Sequence, residues 1–397
     1  MRKCVVSASD DQGDIMNVFS SRRRQVAGLL AASAILLPYS ALAEDGVSDS
    51  QILLGQTVGV TGQIAGPVKE MMAGANAYLA KTNAGGGVHG RKIELITLDD
   101  QFDPVLAGKN AEQLIRKERV FALFQSRGTP HTQAILPLLA EHKIPLVAPS
   151  TGAAIFHQPV NRYLFNVRAM YQTEVKKAVE HFSMTGLKEI ALAHVDDTFG
   201  KDGLAGFQEI MQKQGLKPSA VLSYDRAKPD VPKVIQALQG ANAKALVVIG
   251  STVTTAEIIN GLRKSGNAMQ IMTLSNNASQ SFIDSLGNNA PGIMVSQIMP
   301  APFSITTSLG QEFKQAAKEY KLPESYAAME GYVSAKLMVE GLRRAGRGLT
   351  RDGLVRALEG IKKHDLGGIL IQYSDKDHTG SEFVELTLIG RDKRFIR

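Results

Sequence analysis

Cysteine is almost absent from this chain. Its single copy, Cys4, sits in a stretch that reads as removable, so the remaining chain carries no thiol, no disulfide and no cysteine-based metal or nucleophile site. Enzyme signatures are missing too. There is no G-x-S-x-G elbow, no Walker A sequence, no H-E-x-x-H pair and no G-x-G-x-x-G after a strand. Gly200-Lys201-Asp202 lacks the flanking glycine and hydroxyl of a phosphate loop. The histidines are dispersed, and His131 and His142 stand too far apart to share one helix face, so core or surface roles suit them better than metal ligation. Asp196-Asp197 reads as a turn or cap, because adjacent side chains point apart at a strand end. No metal, cofactor or catalytic residue is expected. Basic residues are scattered and form no stripe with interleaved aromatics, which argues against a nucleic-acid partner.

Long apolar runs are also missing. None reaches the ~18 residues of a membrane helix. The most apolar run, 26–37, follows Arg22-Arg23-Arg24 and precedes Ala41-Leu42-Ala43. A basic region, a short apolar core and an A-x-A site make residues 1–43 an export signal, cleaved after Ala43. Ser21-Arg22-Arg23 hints at twin-arginine export, although Gln25 stands where a bulky apolar residue is usual, so the general route stays open. Asp10, Asp11 and Asp14 are unusual for such a signal, and Met16 is an alternative start. Nothing like Leu-x-x-Cys sits at the cleavage point, so no lipid anchor is expected. The mature chain keeps 40 basic against 35 acidic residues, a net charge of +5.

What is present is ordinary for a globular chain: 44% hydrophobic and 21% charged residues over 397 positions, enough for two domains. Strand and helix patterns alternate from residue 51 onward. The run 51–60 is a strand, and a helix then carries Val68, Met71, Met72, Ala75, Tyr78 and Leu79 on one face. Residues 83–90 (NAGGGVHG) turn into a second strand, and Asp103-Pro104 starts a second helix. Two short buried strands, 121–124 and 144–147, follow. Each ends in small polar residues, 125–130 (QSRGTP) and 149–152 (PSTG), with a helix over 132–142 between them. In open α/β sheets a ligand sits beyond the carboxyl ends of strands, where free helix N–H groups favour an acid group. These two strand ends therefore look like half of an anion-binding pocket, although turns and caps use the same residues.

The alternation restarts after Arg162. Strands at 189–194, 220–223, 243–249 and 270–274 are separated by helices, and two strand ends carry Gly250-Ser251-Thr252 and Ser275-Asn276-Asn277. Past 292 come a strand, two long helices at 309–320 and 325–344, a third from Thr350, and a hairpin pairing 369–373 with 383–389. The tail suggests that the chain crosses between its halves three times, as a hinge would require.

Taken together, ILLGQTVGVTG, NAGGGVHGRKIEL before Asp99-Asp100, SRGTP with APSTGA, FNVRAMY, DDTFGKDG, SNNAS, EGYVSAK and GGILIQYSDKDHTGS run in the order of a known family. Over 45–397 the sequence resembles the type I periplasmic solute-binding proteins of ABC importers, in the branched-chain amino acid (Leu/Ile/Val) group. The resemblance implies an α/β chain of two Rossmann-like, doubly wound parallel-sheet lobes joined by a three-strand hinge. The lobes are then 44–165 with 299–362, and 166–298 with 363–397. It also implies a periplasmic protein that captures a small ligand by hinge closure and docks on a membrane permease, with no chemistry performed; a monomer is expected.

By that resemblance the ligand's acid and ammonium groups meet Ser126, Ser150 and Gly152, with Thr129 and Thr151 beside them. Tyr171 and Phe199 match aromatic positions, Phe199 replacing a more usual tyrosine. Ser251 and Asn276, at strand ends of the second half, complete the candidate set. The acidic partner of a ligand ammonium has no counterpart near Gly250-Ser251-Thr252. Arg168 stands near the hinge, either facing the cleft, where it would suit a dicarboxylate, keto acid or aromatic acid, or tied in a hinge salt bridge. A sensory ligand-binding protein of the same fold and a secreted α/β hydrolase are the alternatives. The first needs a signalling partner, the second a nucleophile–base constellation that is missing.

Overall fold

The computed structural model describes residues 44–397; the expected export signal, with its boundary after Ala43, lies outside them. The first sheet is built by β1 (Gln51–Val58), α1 (Ala65–Ala84), β2 (Lys92–Asp99), α2 (Pro104–Arg116), β3 (Ala122–Phe124), α3 (Thr129–Glu141), β4 (Leu146–Val147) and β5 (Leu164–Phe165). Its five strands are all parallel, in the order β2-β1-β3-β4-β5. β3 and β4 are buried along their whole length, as parallel strands covered on both faces must be. The chain winds outward in both directions from β1, which leaves a crevice at the carboxyl ends of β1 and β3.

The second sheet follows the same logic with α4 (Tyr171–Met184), β6 (Ile190–Val195), α5 (Thr198–Lys213), β7 (Ala220–Tyr224), α6 (Val231–Gly240), β8 (Ala245–Ile249), α7 (Thr252–Lys264), β9 (Gln270–Thr273), α8 (Gln280–Leu286) and β10 (Met294–Gln297). The tail supplies α9 (Ser308–Tyr320), α10 (Tyr326–Ala345), α11 (Arg351–Glu359), β11 (His364–Asp365), β12 (Leu370–Ser374), β13 (Asp377–Gly380), β14 (Glu385–Ile389) and β15 (Phe395–Ile396). The seven strands run β15-β14-β10-β9-β8-β6-β7, and only the β14 and β15 pairings are antiparallel.

The tail returns to the first sheet through α10, which lies along α1. Two glycines permit the approach: a Cβ on Gly74 would overlap the Ala328 carbonyl oxygen, and one on Gly331 that of Met71. Tyr78 and Tyr332 meet edge to face beside them, with centroids 5.0 Å apart. The chain passes between the sheets after β5, after β10 and after β13, so three segments join them.

The expected closing hairpin does not form. β12 pairs with β13 across Asp375-Lys376, and β14 pairs with β10 instead. The Ser374 hydroxyl accepts from Lys376 N at 3.2 Å and closes this tight turn, so the nearest partner forms the ladder. Residues 364–380 also pack on the β5 edge and not with the second half. Asn166 N donates to the His378 carbonyl at 2.9 Å, and the His378 ring stacks on Phe165 at 3.9 Å. Only β14 and β15 of the segment 363–397 join the second sheet.

Candidate functional site

Parallel strands aim their carboxyl ends, and the helix starts that follow them, at one side of a sheet. Here the two sheets present those sides to each other around one small cavity. Every residue on its wall follows a strand end. Six of the ten expected residues line it: Thr129 after β3, Ser150 after β4, Tyr171 after β5, Phe199 after β6, Ser251 after β8 and Asn276 after β9.

The other four lie behind that wall. The Ser126 hydroxyl pairs with that of Thr132 at 2.8 Å, and Thr151 pairs with Thr129 at 2.8 Å. Gly152 sits where a Cβ would come within 2.5 Å of the Ala169 carbonyl oxygen, so its role is close packing under the crossover to α4. Arg168 is fully buried and faces away from the cavity into a salt-bridge cluster. Its guanidinium donates to Glu174 Oε1 at 3.0 Å, Ser275 Oγ at 2.6 Å and Glu330 Oε1 at 3.3 Å, and lies 4.8 Å over the Tyr171 ring. Burial works against this charge, yet Tyr171, Glu330 and Glu174 together hold its pKa above the ordinary guanidinium value. Glu174 is in turn satisfied by Ser275 N at 2.9 Å and the Ser296 hydroxyl at 2.5 Å. Of the two readings of Arg168, the geometry gives the hinge salt bridge.

Five wall residues were not singled out from the sequence: Ile64, Phe102, Arg127, Gly128 and Arg226. Arg127 and Gly128 stand inside the SRGTP stretch, where a cation next to a buried strand end was the available signal. Phe102 had none, because its placement depends on Gln101 and Phe102 both taking positive φ, 53° and 62°. The Arg226 guanidinium covers the Phe102 ring at 4.8 Å, across the cleft, and pairs with Asp197. His131 stacks on Phe102 at 4.5 Å, and burial pushes its pKa down to about 4, so it is a neutral ring there.

Arg127 is only 5% exposed. It donates to Ser150 Oγ at 3.0 Å and, across the cleft, to the Asn276 carbonyl at 2.9 Å. Glu330 Oε2 is 3.9 Å away, beyond hydrogen-bond range, while Glu330 Oε1 accepts from Ser150 at 2.8 Å. Burial holds the Arg127 pKa below the usual guanidinium value. Further contacts tie the halves together: Ser251 Oγ donates to Gln63 Oε1 at 3.0 Å, and Glu70 on α1 accepts from Gln280 N and Ser281 N of α8 at 3.0 and 2.8 Å.

Helix capping sorts with this geometry. Among the described residues, α2, α5, α6, α8, α9, α10 and α11 each start on a side chain that accepts from their first N–H groups. The helices α1, α3, α4 and α7 do not, their N-cap residues being Ile64, Gly128, Met170 and Ser251. Each of these four places its N-cap or first residue on the cavity wall. Gly128 takes φ 100° and ψ 140°, open only to glycine, and leaves the α3 start bare. Four helix starts without a side-chain cap thus converge on one space, two from each sheet, although Tyr171 N of α4 donates to the Gly152 carbonyl at 2.8 Å and Ala65 N of α1 to the Gly62 carbonyl at 3.2 Å.

A family model described as periplasmic binding protein matches residues 51–389. A Leu/Ile/Val-binding protein homolog from Brucella suis is 25% identical over 250 residues, 60% of this chain and 62% of that protein's own length. A substrate-binding periplasmic protein from Ralstonia solanacearum superimposes with a TM-score of 0.82 at 27% identity, covering 87% of this chain and 99% of that one. A branched-chain amino acid ABC transporter protein from Thermus thermophilus, with bound valine, shares the fold at a TM-score of 0.78 and 18% identity, covering 88% of this chain and 96% of that one. With the type I fold, the facing strand ends and the family match in agreement, the chain belongs to the periplasmic binding proteins.

Proposed function

We propose that the protein is the substrate-binding component of an ABC importer, capturing an amino acid or related small carboxylate in the periplasm and handing it to a membrane permease. The observation that carries this reading is the set of four helix starts without a side-chain cap on one cavity. Such starts carry partial positive charge and bind acid groups readily. Gly128 and Thr129 at the α3 start receive the carboxylate beside Arg127, while Tyr171 and Phe199 cover the body of the ligand. Ser251 and Asn276 close over it from the second lobe, and Ser126, Thr151 and Gly152 support the wall from behind. Arg168 acts at the hinge. The lobes that move are the two sheets with their helices, residues 364–380 travelling with the first.

Contacts to both lobes exist only when the cleft is shut, so ligand affinity and closure are one equilibrium. The test is a thermal-shift panel of amino acids, keto acids, dicarboxylates and aromatic acids on the chain from Glu44. A ligand at ~100 times its Kd adds about 2.7 kcal/mol of stability. No shift with any member of the panel would overturn the reading.

A further inference from the structure

We infer that the ligand is a monocarboxylate without an ammonium group, its acid on Arg127 and the α3 start and its flat apolar body among Phe102, Tyr171 and Phe199. This rests on the reading above and narrows it. The cavity wall carries two arginines and no aspartate or glutamate. The acids beside those arginines are already engaged. Asp197 accepts from Phe199 N at 2.9 Å and Gly200 N at 3.1 Å and pairs with Arg226. Glu330 accepts from Ser150 at 2.8 Å and Arg168 at 3.3 Å. An ammonium shut in this space would therefore have no carboxylate to itself, the costly arrangement for a buried charge.

The cations differ from each other. Arg226 is neutralised by Asp197 and spends its face on Phe102. Arg127 hydrogen-bonds a hydroxyl, a carbonyl and the Met71 sulfur, and meets Glu330 only as an ion pair at 3.9 Å, without a hydrogen bond to its carboxylate. One buried guanidinium without a hydrogen-bonded acid calls for one anion, which also sets the ligand's charge count against a dicarboxylate. The apolar part of the wall is Ile64 and three aromatic rings, Tyr171 and Phe199 meeting at 4.7 Å. Asn276 Oδ1 is the one buried wall acceptor without a partner. As a neutral amide it takes an N–H or hydroxyl, and it offers no countercharge to an ammonium.

Matched pairs that differ only at the amine test the inference: phenylpyruvate against L-phenylalanine, and 4-methyl-2-oxopentanoate against L-leucine, with benzoate, benzamide and glutarate alongside. Titration calorimetry on the chain from Glu44 should show each keto acid at least tenfold tighter than its amino acid. Benzoate should bind and benzamide should not, and glutarate should be weaker than the monoacids. Arg127→Gln should lower the affinity for the acids at least thirtyfold and Arg127→Lys less, with circular dichroism melts reporting that both still fold. Amino acids binding as tightly as their keto acids would overturn the inference while leaving the proposed function standing. Failure of every acid and amino acid alike would overturn both.

Discussion

Replacing Arg168 with methionine separates a hinge role from a cleft role. The side chain is fully buried and holds two carboxylates at once, Glu174 at 3.0 Å and Glu330 at 3.3 Å. Methionine fills much of the volume but leaves both acids without that partner. Removing one side of a buried ion pair costs about 3–5 kcal/mol, a large part of the 5–15 kcal/mol that holds an ordinary domain together. At a urea dependence of ~3 kcal/mol per molar, the unfolding midpoint should fall by about 1–1.7 M. Adding Glu174→Gln to Arg168→Met should recover part of the loss, because one uncompensated charge goes with it. A ligand-contacting arginine behaves the other way, with binding abolished and the urea midpoint nearly unchanged. A midpoint shift under ~0.3 M with lost binding would refute the hinge assignment.

Burial pushes Asp100 up to about 7, with Asp99 and Asp103 nearby adding to the rise against hydrogen bonds from Phe102 N and Thr57. The folded state then holds a proton that the unfolded chain has lost by pH ~4, so stability should fall as pH rises from about 4 to 7. Asp100→Asn should flatten that part of the profile in urea melts at pH 5 and pH 8, and an unchanged slope would count against the shift. Glu70 accepts two N–H groups of α8 across the cleft, so Glu70→Ala should speed ligand release about fivefold, the kinetic equivalent of ~1 kcal/mol for a lost helix cap. Stopped-flow release at the wild-type rate would show that this contact does not hold the cleft shut. At Gly128 a Cβ would meet His131 Nδ1 at 2.6 Å with φ at 100°, so Gly128→Ala should cost ~1–3 kcal/mol in stability and at least tenfold in affinity, checked by melts and calorimetry together.

Much of this was readable from local pattern. The alternation of buried runs and amphipathic helices located both sheets, and Gln125–Pro130 and Pro149–Gly152 stood out because small polar residues end two buried strands. What escaped was long-range. Ser150 looked like a ligand hydroxyl, yet it is committed to Glu330, 180 positions away. Phe102 reaches the wall only through two consecutive left-handed residues, a conformation that no propensity signals. The tail misled for a different reason. Alternating apolar residues fix which strands exist, whereas partners depend on turn chemistry, and the short Ser374–Asp377 connection outcompeted the longer loop to β14.

The missing caps are where local rules and function part. An N-cap side chain is worth ~1 kcal/mol, a contribution that α1, α3, α4 and α7 lack and the seven other described helices have. A capping side chain placed at any of them would occupy the space that the proposed function leaves to a ligand. Two of the starts, on α1 and α3, belong to the first sheet, and two, on α4 and α7, to the second. Under the proposed function a ligand touches both pairs only with the sheets drawn together, so its binding and the closure of the cleft are linked. Capping these helices from within the chain would therefore raise the melting temperature and lower the affinity in the same step.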